Sequence, residues 1–348
     1  MTMSARYPLA LAALLGILGF TSTVTADVTV AKVIGSNMVL QQGQPVNIWG
    51  WADAGEDVVV GIDGKTTNTV ADDTGSWRVQ LPAMSADGKE HVMTVRGKNE
   101  IKLTNILIGE VWLGSGQSNM EMSVKSSRDA GKEIAAAGHP QIRLFHVPRA
   151  RAGEPAKDTK GGAWQECSSQ SVPGFSATAY YFARELQQQL DVPVGIIASS
   201  WGGTRIEPWT PKNGKGAVLY NAMIHPLAPF SLRGVIWYQG ESNVLSLAGL
   251  KYFDMQHQLI DDWRKAWDND RLSFHFVHIA PWSGRYKEGE LPKLWEAQTK
   301  TLTLPHTGMA VITDGVDNIA DIHPKNKQLA GHRLALWTLA QDPGKDSL

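Results

Sequence analysis

The 348-residue chain has very little cysteine and no excess of either charge. Cys167 is the only cysteine, so an intramolecular disulfide cannot form and a cysteine-rich zinc site is excluded. The 33 Lys and Arg residues nearly balance the 34 Asp and Glu residues, which gives a formal net charge of -1. This balance provides no general attraction to nucleic acid or to an anionic membrane. A small substrate that is neutral or weakly charged fits these absences better.

The sequence also has few long apolar runs, and the longest lies at the start of the chain. Arg6 precedes an apolar stretch from about residue 7 to residue 20, and small residues at 24–26 precede Asp27. This layout predicts a signal peptide over residues 1–26, because the run is too short to cross a bilayer comfortably. An uncleaved anchor is the alternative. We therefore expect an exported protein, periplasmic or extracellular, that has no membrane contact after signal cleavage.

Residues 27–107 alternate between apolar and polar positions in short runs separated by Gly and Asp. Examples are VNIWGWA at 46–52, DVVVGI at 57–62 and SWRVQL at 76–81. Such alternation with turn residues between the runs is typical of antiparallel strands. We predict a small all-β sandwich domain here. No motif with chemistry appears in it, so we expect a structural role.

From residue 108 to residue 348 the pattern changes to strands that alternate with helices, which predicts an α/β domain built on a mainly parallel sheet flanked by helices. Helices are expected after Ser176 as far as Leu190, from Tyr252 to Trp267, around Trp295, and from about Lys327 to Leu339. The stretch 149–174 is rich in Pro, Gly and Lys and is interpreted as a long surface loop.

Polar clusters follow the apolar stretches of this second region at four places. They read GSGQSNM after Trp112, SSWGGTR after Ile197, YQGESN after Ile236 and DGVDNIADIHP after Ile312. Because the carboxyl ends of parallel strands meet at one edge of a sheet, these clusters should line one pocket. They contain the nucleophile, base, orienting acid and oxyanion donors that acyl transfer requires.

Ser118 is the best candidate nucleophile, since it lies where a strand gives way to a helix. Gly114 and Gly116 would relax the backbone at that turn. The alternative is that Ser118 caps the helix, because Ser-Asn-Met-Glu is close to a capping box. His323 could act as the base, and Asp321 could reach the ring nitrogen that faces away from the serine. The alternative for His323 is a surface or capping residue in a loop.

The other histidines are interpreted as packing residues. His275 and His278 alternate within a strand, and His225 precedes a proline in an apolar stretch. No His pair has the spacing of a metal-binding motif, so no metal site is predicted. Most of the 13 tryptophans are expected in the core. The alternative is that several of them line a cleft, because aromatic faces suit sugar rings.

The strings GQSNM, SWGGT, WYQGESN and DIHPKNK together resemble the sialate O-acetylesterase family of SGNH-type hydrolases, which is related to the GQSN-type acetylxylan esterases. The resemblance extends over the N-terminal strings MVLQQGQPVNIWGWADAGE and DDTGSWRVQLPAM. It implies an SGNH or flavodoxin-like fold with Ser118 as nucleophile and His323 as base. The oxyanion hole implied by the resemblance comprises Ser118, Gly202, Gly203, Gln239 and Asn243.

Two departures from the family pattern bear on these roles. The wider superfamily has its acid three residues before the histidine, where this chain has Ala320, so Asp321 is our choice and Glu241, Asp314 and Asp317 stay open as rivals. Glu241 could instead be structural and pair with Arg205, and Arg205 could contact a sugar carboxylate or pair with Glu207. Relatives usually continue past the segment that resembles RLALWTLAQDPGKDSL, so we expect a shorter or C-terminally truncated form.

The resemblance implies a serine esterase that removes O-acetyl groups from sugars without a cofactor. The expected substrate is an O-acetylated sialate or another acetylated glycan. An acetylxylan or other polysaccharide deacetylase is the alternative within the hydrolases. A secreted carbohydrate-binding protein without catalysis is the alternative from another class.

Overall fold

The computed structural model describes residues 1–2, 27–211 and 216–341. Most of the predicted signal peptide, residues 3–26, lies outside the described residues, as does the end of the chain at 342–348. In the described ranges, no helix has the length and apolar character that a membrane crossing needs.

Seven short strands precede residue 97 in the described part of the chain. They are β1 (Thr29–Val30), β2 (Val39–Gln41), β3 (Val46–Trp51), β4 (Asp57–Ile62), β5 (Lys65–Val70), β6 (Ser76–Leu81) and β7 (His91–Arg96). An antiparallel sheet has the order β1-β3-β6, and β4 pairs antiparallel with β5 and β7. Strands β6 and β7 bury alternate residues, as the period of two in their sequences predicts.

Strands and helices alternate after residue 99. They are β8 (Glu100–Gly116), α1 (Ser118–Glu121), α2 (Ala130–Ala135), β9 (His139–His146), β10 (Trp164–Cys167), α3 (Ala177–Leu190), β11 (Val194–Ser200), β12 (Gly234–Tyr238), α4 (Glu241–Leu245), α5 (Tyr252–Ala266), β13 (Ser273–His278), α6 (Glu290–Thr301), β14 (Thr307–Val311) and α7 (Lys327–Ala340). The sheet has the order β10-β9-β11-β8-β12-β13-β14. Its neighbours pair in parallel except β10, which is antiparallel to β9. The chain is therefore a mixed α/β structure.

Strand β8 links the two regions because it is 17 residues long. Its first part pairs antiparallel with β7, residues 107–109 pair with β2, and residues 110–116 pair with β11. The predicted boundary between residues 107 and 108 thus falls inside one continuous strand.

The predicted helices agree closely with the structure. Helix α3 starts after Ser176, whose Oγ accepts a hydrogen bond of 3.2 Å from the Ala179 amide and so caps the helix. Helices α5 and α7 end within one residue of the expected positions. The interpretation of 149–174 as a loop throughout is wrong, because β10 lies inside it. Trp164 of this edge strand is buried, and its indole donates to the Val33 carbonyl at 2.7 Å.

Helices cover both faces of the sheet. His275 of β13 stacks on Trp112 at 5.6 Å between ring centroids, and Trp112 contacts Phe182 of α3 at 5.0 Å. The neighbouring residue, Phe274, contacts Trp263 of α5 at 6.0 Å. Because successive residues of a strand point to opposite faces, α3 and α5 lie on opposite sides.

Helix α7 packs very closely on α3 at Gly331. A Cβ atom at Gly331 would lie 2.6 Å from the Phe182 amide nitrogen and 2.7 Å from Tyr181 Cβ. Only glycine permits this approach. The close contact fixes the start of α7, and with it the segment that carries His323, relative to the sheet.

Candidate active site

The nucleophile candidate lies in a constrained turn between β8 and α1. Gly116 has φ of +138°, and a Cβ atom there would lie 2.2 Å from the Tyr238 carbonyl oxygen. The next amide, that of Gln117, donates to the same oxygen at 3.0 Å. Gly114, by contrast, lies in regular strand, and its lack of a Cβ serves packing against Ala179. The turn therefore presents Ser118 at the carboxyl edge of the sheet.

Ser118 meets His323 across 205 residues of sequence. The distance between Ser118 Oγ and His323 Nε2 is 2.9 Å. The helix starts at Ser118 itself, so the N-cap position belongs to Gln117. The side chain of Gln117 makes no capping hydrogen bond. The capping interpretation of Ser118 is therefore wrong.

Asp321 is the carboxylate beside His323. Its Oδ1 lies 3.6 Å from His323 Nδ1 and accepts a hydrogen bond of 2.9 Å from the His323 amide. Burial lowers the pKa of His323, Lys327 lowers it further, and Asp321 acts in the opposite direction. A histidine that is neutral near pH 7 can accept a proton from serine.

The rival acids have other partners. Asp314 pairs with Arg333 at 2.5 Å, and Asp317 pairs with Arg128. Glu241 accepts a hydrogen bond of 2.5 Å from Asn119 rather than from Arg205. These contacts leave Asp321 as the acid beside the imidazole.

The glycine turn after β11 lies against the nucleophile. A Cβ atom at Gly202 would be 3.3 Å from Ser118 Cβ. The Gly202 amide donates to Glu121 Oε2 at 2.9 Å, and Gly203 has φ of +75°. Sequence reasoning missed Glu121, although its place at the end of the SNME helix could have suggested it.

The buried amides of Gln239 and Asn243 form a layer beneath the turn. Gln239 Nε2 donates to Gln117 Oε1 at 3.0 Å and to Asn243 Oδ1 at 2.7 Å. Asn243 Oδ1 also accepts from the Ile206 amide at 3.0 Å. Tyr252 donates to Gln239 Oε1 at 2.7 Å, which fixes the orientation of that amide. The two residues thus tie the turn after β8 to the segment after β11.

An open cleft of about 1110 Å³ lies in front of Ser118 and His323. Arg149 lies at its edge, pairs with Glu121 at 2.5 Å and lies over the Trp201 ring at 5.5 Å. Arg205 is not among the residues that line this cleft, and its nearest carboxylate is that of Glu207 at 3.7 Å. The described lining residues are Ser118, Glu121, Met122, Ser123, Lys125, Ser126, Ser127, His146, Arg149, Gly174, Asp321, His323 and Lys325.

Of the three histidines that were expected to pack, His275 and His278 are buried, whereas His225 is only partly buried. His275 is fully buried, and His278 stacks on Trp295 at 5.1 Å. Burial lowers the pKa of His275 to about 3. Among the described residues, four tryptophans are fully buried, namely Trp112, Trp209, Trp237 and Trp263.

Similarity to known proteins is extensive. The family model described as carbohydrate esterase, sialic acid-specific acetylesterase, matches residues 108–338. The sialate O-acetylesterase of Homo sapiens is 32% identical, with 91% of this chain and 72% of that protein covered. The Mus musculus protein of the same name is 29% identical, with 91% and 74% covered. The crystal structure of a carbohydrate acetylesterase from Xanthomonas citri has a TM-score of 0.88 and 38% identity, with 91% of this chain and 76% of that chain covered.

Proposed function

Since the chain belongs to the family of sialic acid-specific carbohydrate acetylesterases, we propose that it uses Ser118 as nucleophile, His323 as general base and Asp321 as orienting acid. The chain is a carboxylic ester hydrolase that removes O-acetyl groups from sugars. The observation that carries the assignment of residues is the 2.9 Å contact between Ser118 Oγ and His323 Nε2. That distance permits direct proton transfer.

The proposed reaction has two stages. Ser118 Oγ bonds to the acetyl carbon while His323 Nε2 takes the hydroxyl proton. The tetrahedral intermediate expels the sugar oxygen, which takes that proton from His323, and acetyl-Ser118 remains. Water then loses a proton to His323 and attacks the acetyl carbon. Acetate departs, and Ser118 regains its proton from His323.

The oxyanion is proposed to bind at the Ser118 amide together with the Gly202–Gly203 turn. The first amides of a helix have no partner within the helix, so the Ser118 amide is suited to an anion. The Gly202 amide donates a hydrogen bond of 2.9 Å to Glu121 Oε2, so it would have to break this bond in order to donate to the oxyanion. Gln239 and Asn243 support the hole from beneath, and Gln239 could donate only by exchanging a present partner.

We propose an O-acetylated sialate as the substrate, because two lysines line the cleft. Lys125 and Lys325 lie there beside the Glu121–Arg149 pair, and both side chains could attract a sugar carboxylate. A neutral acetylated polysaccharide such as xylan is the second candidate, which the openness and the 1110 Å³ volume of the cleft favour.

The substrate proposal is tested by comparing kcat/KM for O-acetylated sialic acid and an acetylated xylo-oligosaccharide at low and high salt. Salt should reduce kcat/KM for the sialate only, because interactions between exposed charges are screened beyond about 10 Å at 0.1 M salt. Lys125→Ala and Lys325→Ala should reduce the same value. Equal salt dependence for both substrates, together with faster xylan deacetylation, would favour the second candidate.

A fluorophosphonate probe tests the nucleophile, because it bonds to activated serines. We expect the label on the peptide that contains Ser118, and no label in the Ser118→Ala variant. Ser123→Ala is the matched control, since Ser123 lines the same cleft. Labelling that survives in Ser118→Ala would refute the assignment.

We also propose that residues 27–107 form a β-sandwich unit and that the chain is exported after cleavage near residue 26. The antiparallel pairs among β1, β3 and β6 and among β4, β5 and β7 support the first proposal. The basic and apolar layout of the first 26 residues supports the second. N-terminal sequencing of the protein recovered from cells tests the cleavage.

A further inference from the structure

A buried lysine lies behind the site. Lys327 is the first residue of α7, and only 1% of it is exposed. Its Nζ donates to Asn119 Oδ1 at 2.5 Å and lies 4.8 Å from the centre of the Tyr238 ring. A buried ammonium group is unfavourable unless specific contacts offset the loss of water. The position of this lysine therefore requires an explanation beyond packing.

The Asn119 side chain joins three segments of the site. Its Nδ2 donates to Glu241 Oε1 at 2.5 Å and to the Ile322 carbonyl at 3.0 Å. Asn119 follows Ser118, and Ile322 precedes His323. An asparagine amide can accept only at Oδ1 and donate only at Nδ2, so these contacts fix one orientation of the side chain. The bridge thus connects the nucleophile turn, the histidine loop and the segment after β12.

We propose that Lys327 is a positioning residue. It fixes the positions of Ser118 and His323 relative to each other through the side chain of Asn119. Glu241 completes the bridge from the opposite side. The inference rests on the proposed function, because it gives Lys327 a role only if Ser118 and His323 perform the chemistry. All three bridging side chains are at least 99% buried, so their contacts are shielded from water.

The charge of Lys327 also acts on His323. Burial lowers the pKa of Lys327 to about 7, while Glu241 and Asp321 oppose this change. Below pH 7 the lysine is mostly protonated, and its charge lowers the pKa of His323. Removing the charge should therefore raise the pKa of His323 and move the acidic limb of kcat/KM to higher pH. The other ionisable groups around the two residues are Tyr238 and, along the cleft, Glu121, Lys125, His146, Arg149, Asp321 and Lys325.

The test compares Lys327→Met with Lys327→Gln in the full chain, using 4-methylumbelliferyl acetate from acidic to neutral pH. Lys327→Met should lower kcat about 100-fold with little change in KM, the scale of loss expected when reacting groups are slightly misplaced. Lys327→Gln keeps a donor for Asn119 and should retain more of kcat. Both variants should shift the acidic limb to higher pH, because both lack the charge.

Arg264→Met is the matched control for lost stability. Arg264 is a buried cation that donates to the Leu272 carbonyl at 3.2 Å and to the Pro305 carbonyl at 2.7 Å, away from the cleft. Its loss should lower Tm and leave the pH profile unchanged. The inference is overturned if Lys327→Met also lowers only Tm.

Asn119→Asp provides a second test that does not depend on the folding of Lys327→Met. It keeps an acceptor for Lys327 but removes the donor to Glu241 and Ile322, so kcat should fall with little change in KM. Unchanged kcat in a folded Asn119→Asp variant would overturn the inference. Ser118→Ala is measured alongside, and the proposed function fails if this variant retains activity. If Ser118→Ala is inactive while Asn119→Asp and Lys327→Met keep the wild-type kcat, only the inference about Lys327 is refuted.

Discussion

Two histidines show how the interior of the sheet differs from its carboxyl edge. His275, in the interior, is fully buried against Trp112, and neither of its ring nitrogens has a hydrogen-bond partner among the described residues. His323, at the edge, keeps 40% of its side chain exposed and contacts both Ser118 and Asp321. Burial lowers the pKa of both imidazoles.

The difference lies in the partners rather than in the burial. An imidazole without partners stays neutral and acts as a flat packing group. An imidazole between a hydroxyl and a carboxylate can take a proton and be stabilised while it holds the charge. A perturbed pKa therefore identifies a functional histidine only together with such geometry.

Substituting each of these two histidines in turn should produce very different losses of activity. His323→Ala should lower kcat/KM about 10³-fold, because general base catalysis is lost. His275→Phe should leave kcat/KM near the wild-type value, since the ring only packs. Measurement of Tm confirms that both variants fold. Similar losses of kcat/KM in the two folded variants would contradict the different roles assigned to His323 and His275.

The sequence was sufficient to predict the strand-end clusters, because small polar residues after apolar runs have few structural reasons to be there. Ser118, His323 and Asp321 belong to these clusters, and the structure brings them together. Helices α3, α5 and α7 were predicted because their apolar residues recur at helical spacing.

The remaining features depend on tertiary placement. Lys327 resembles any lysine in the first turn of a helix until the fold buries it against Asn119. The bond from the Gly202 amide to Glu121 joins residues 81 positions apart, with no local signal. Strand β10 has only four residues, too few for a periodic pattern, and forms because β9 offers an edge.

The two glycines near the nucleophile, Gly116 and Gly114, should differ in how strongly alanine at each position lowers kcat. Gly116→Ala should lower kcat about 100-fold, because the new Cβ would lie 2.2 Å from the Tyr238 carbonyl and displace the turn. Gly114→Ala should have a much smaller effect, since its Cβ would lie 3.2 Å from Ala179 Cβ. Measurement of kcat and Tm for both checks this. A larger activity loss in Gly114→Ala would contradict the account.

The buried His275 should also affect the stability of the folded chain in acid. His275 has a pKa near 3 in the folded chain against an ordinary value of 6.5. The unfolded chain therefore binds the proton more readily, and stability present above pH 6.5 is lost as the pH falls toward 3. His275→Phe should reduce the fall in Tm between neutral and acidic pH. An unchanged dependence of Tm on pH would contradict the interpretation of this histidine.

The most direct test of the central claim, that catalysis resides at the carboxyl edge, is hydrolysis of 4-methylumbelliferyl acetate by wild type, Ser118→Ala and Ser115→Ala. Ser115 is buried in β8, and its hydroxyl has no hydrogen-bond partner among the described residues. We predict that folded Ser118→Ala loses at least about 10³-fold in kcat/KM, while Ser115→Ala stays near wild type. Wild-type activity in a folded Ser118→Ala variant would contradict it.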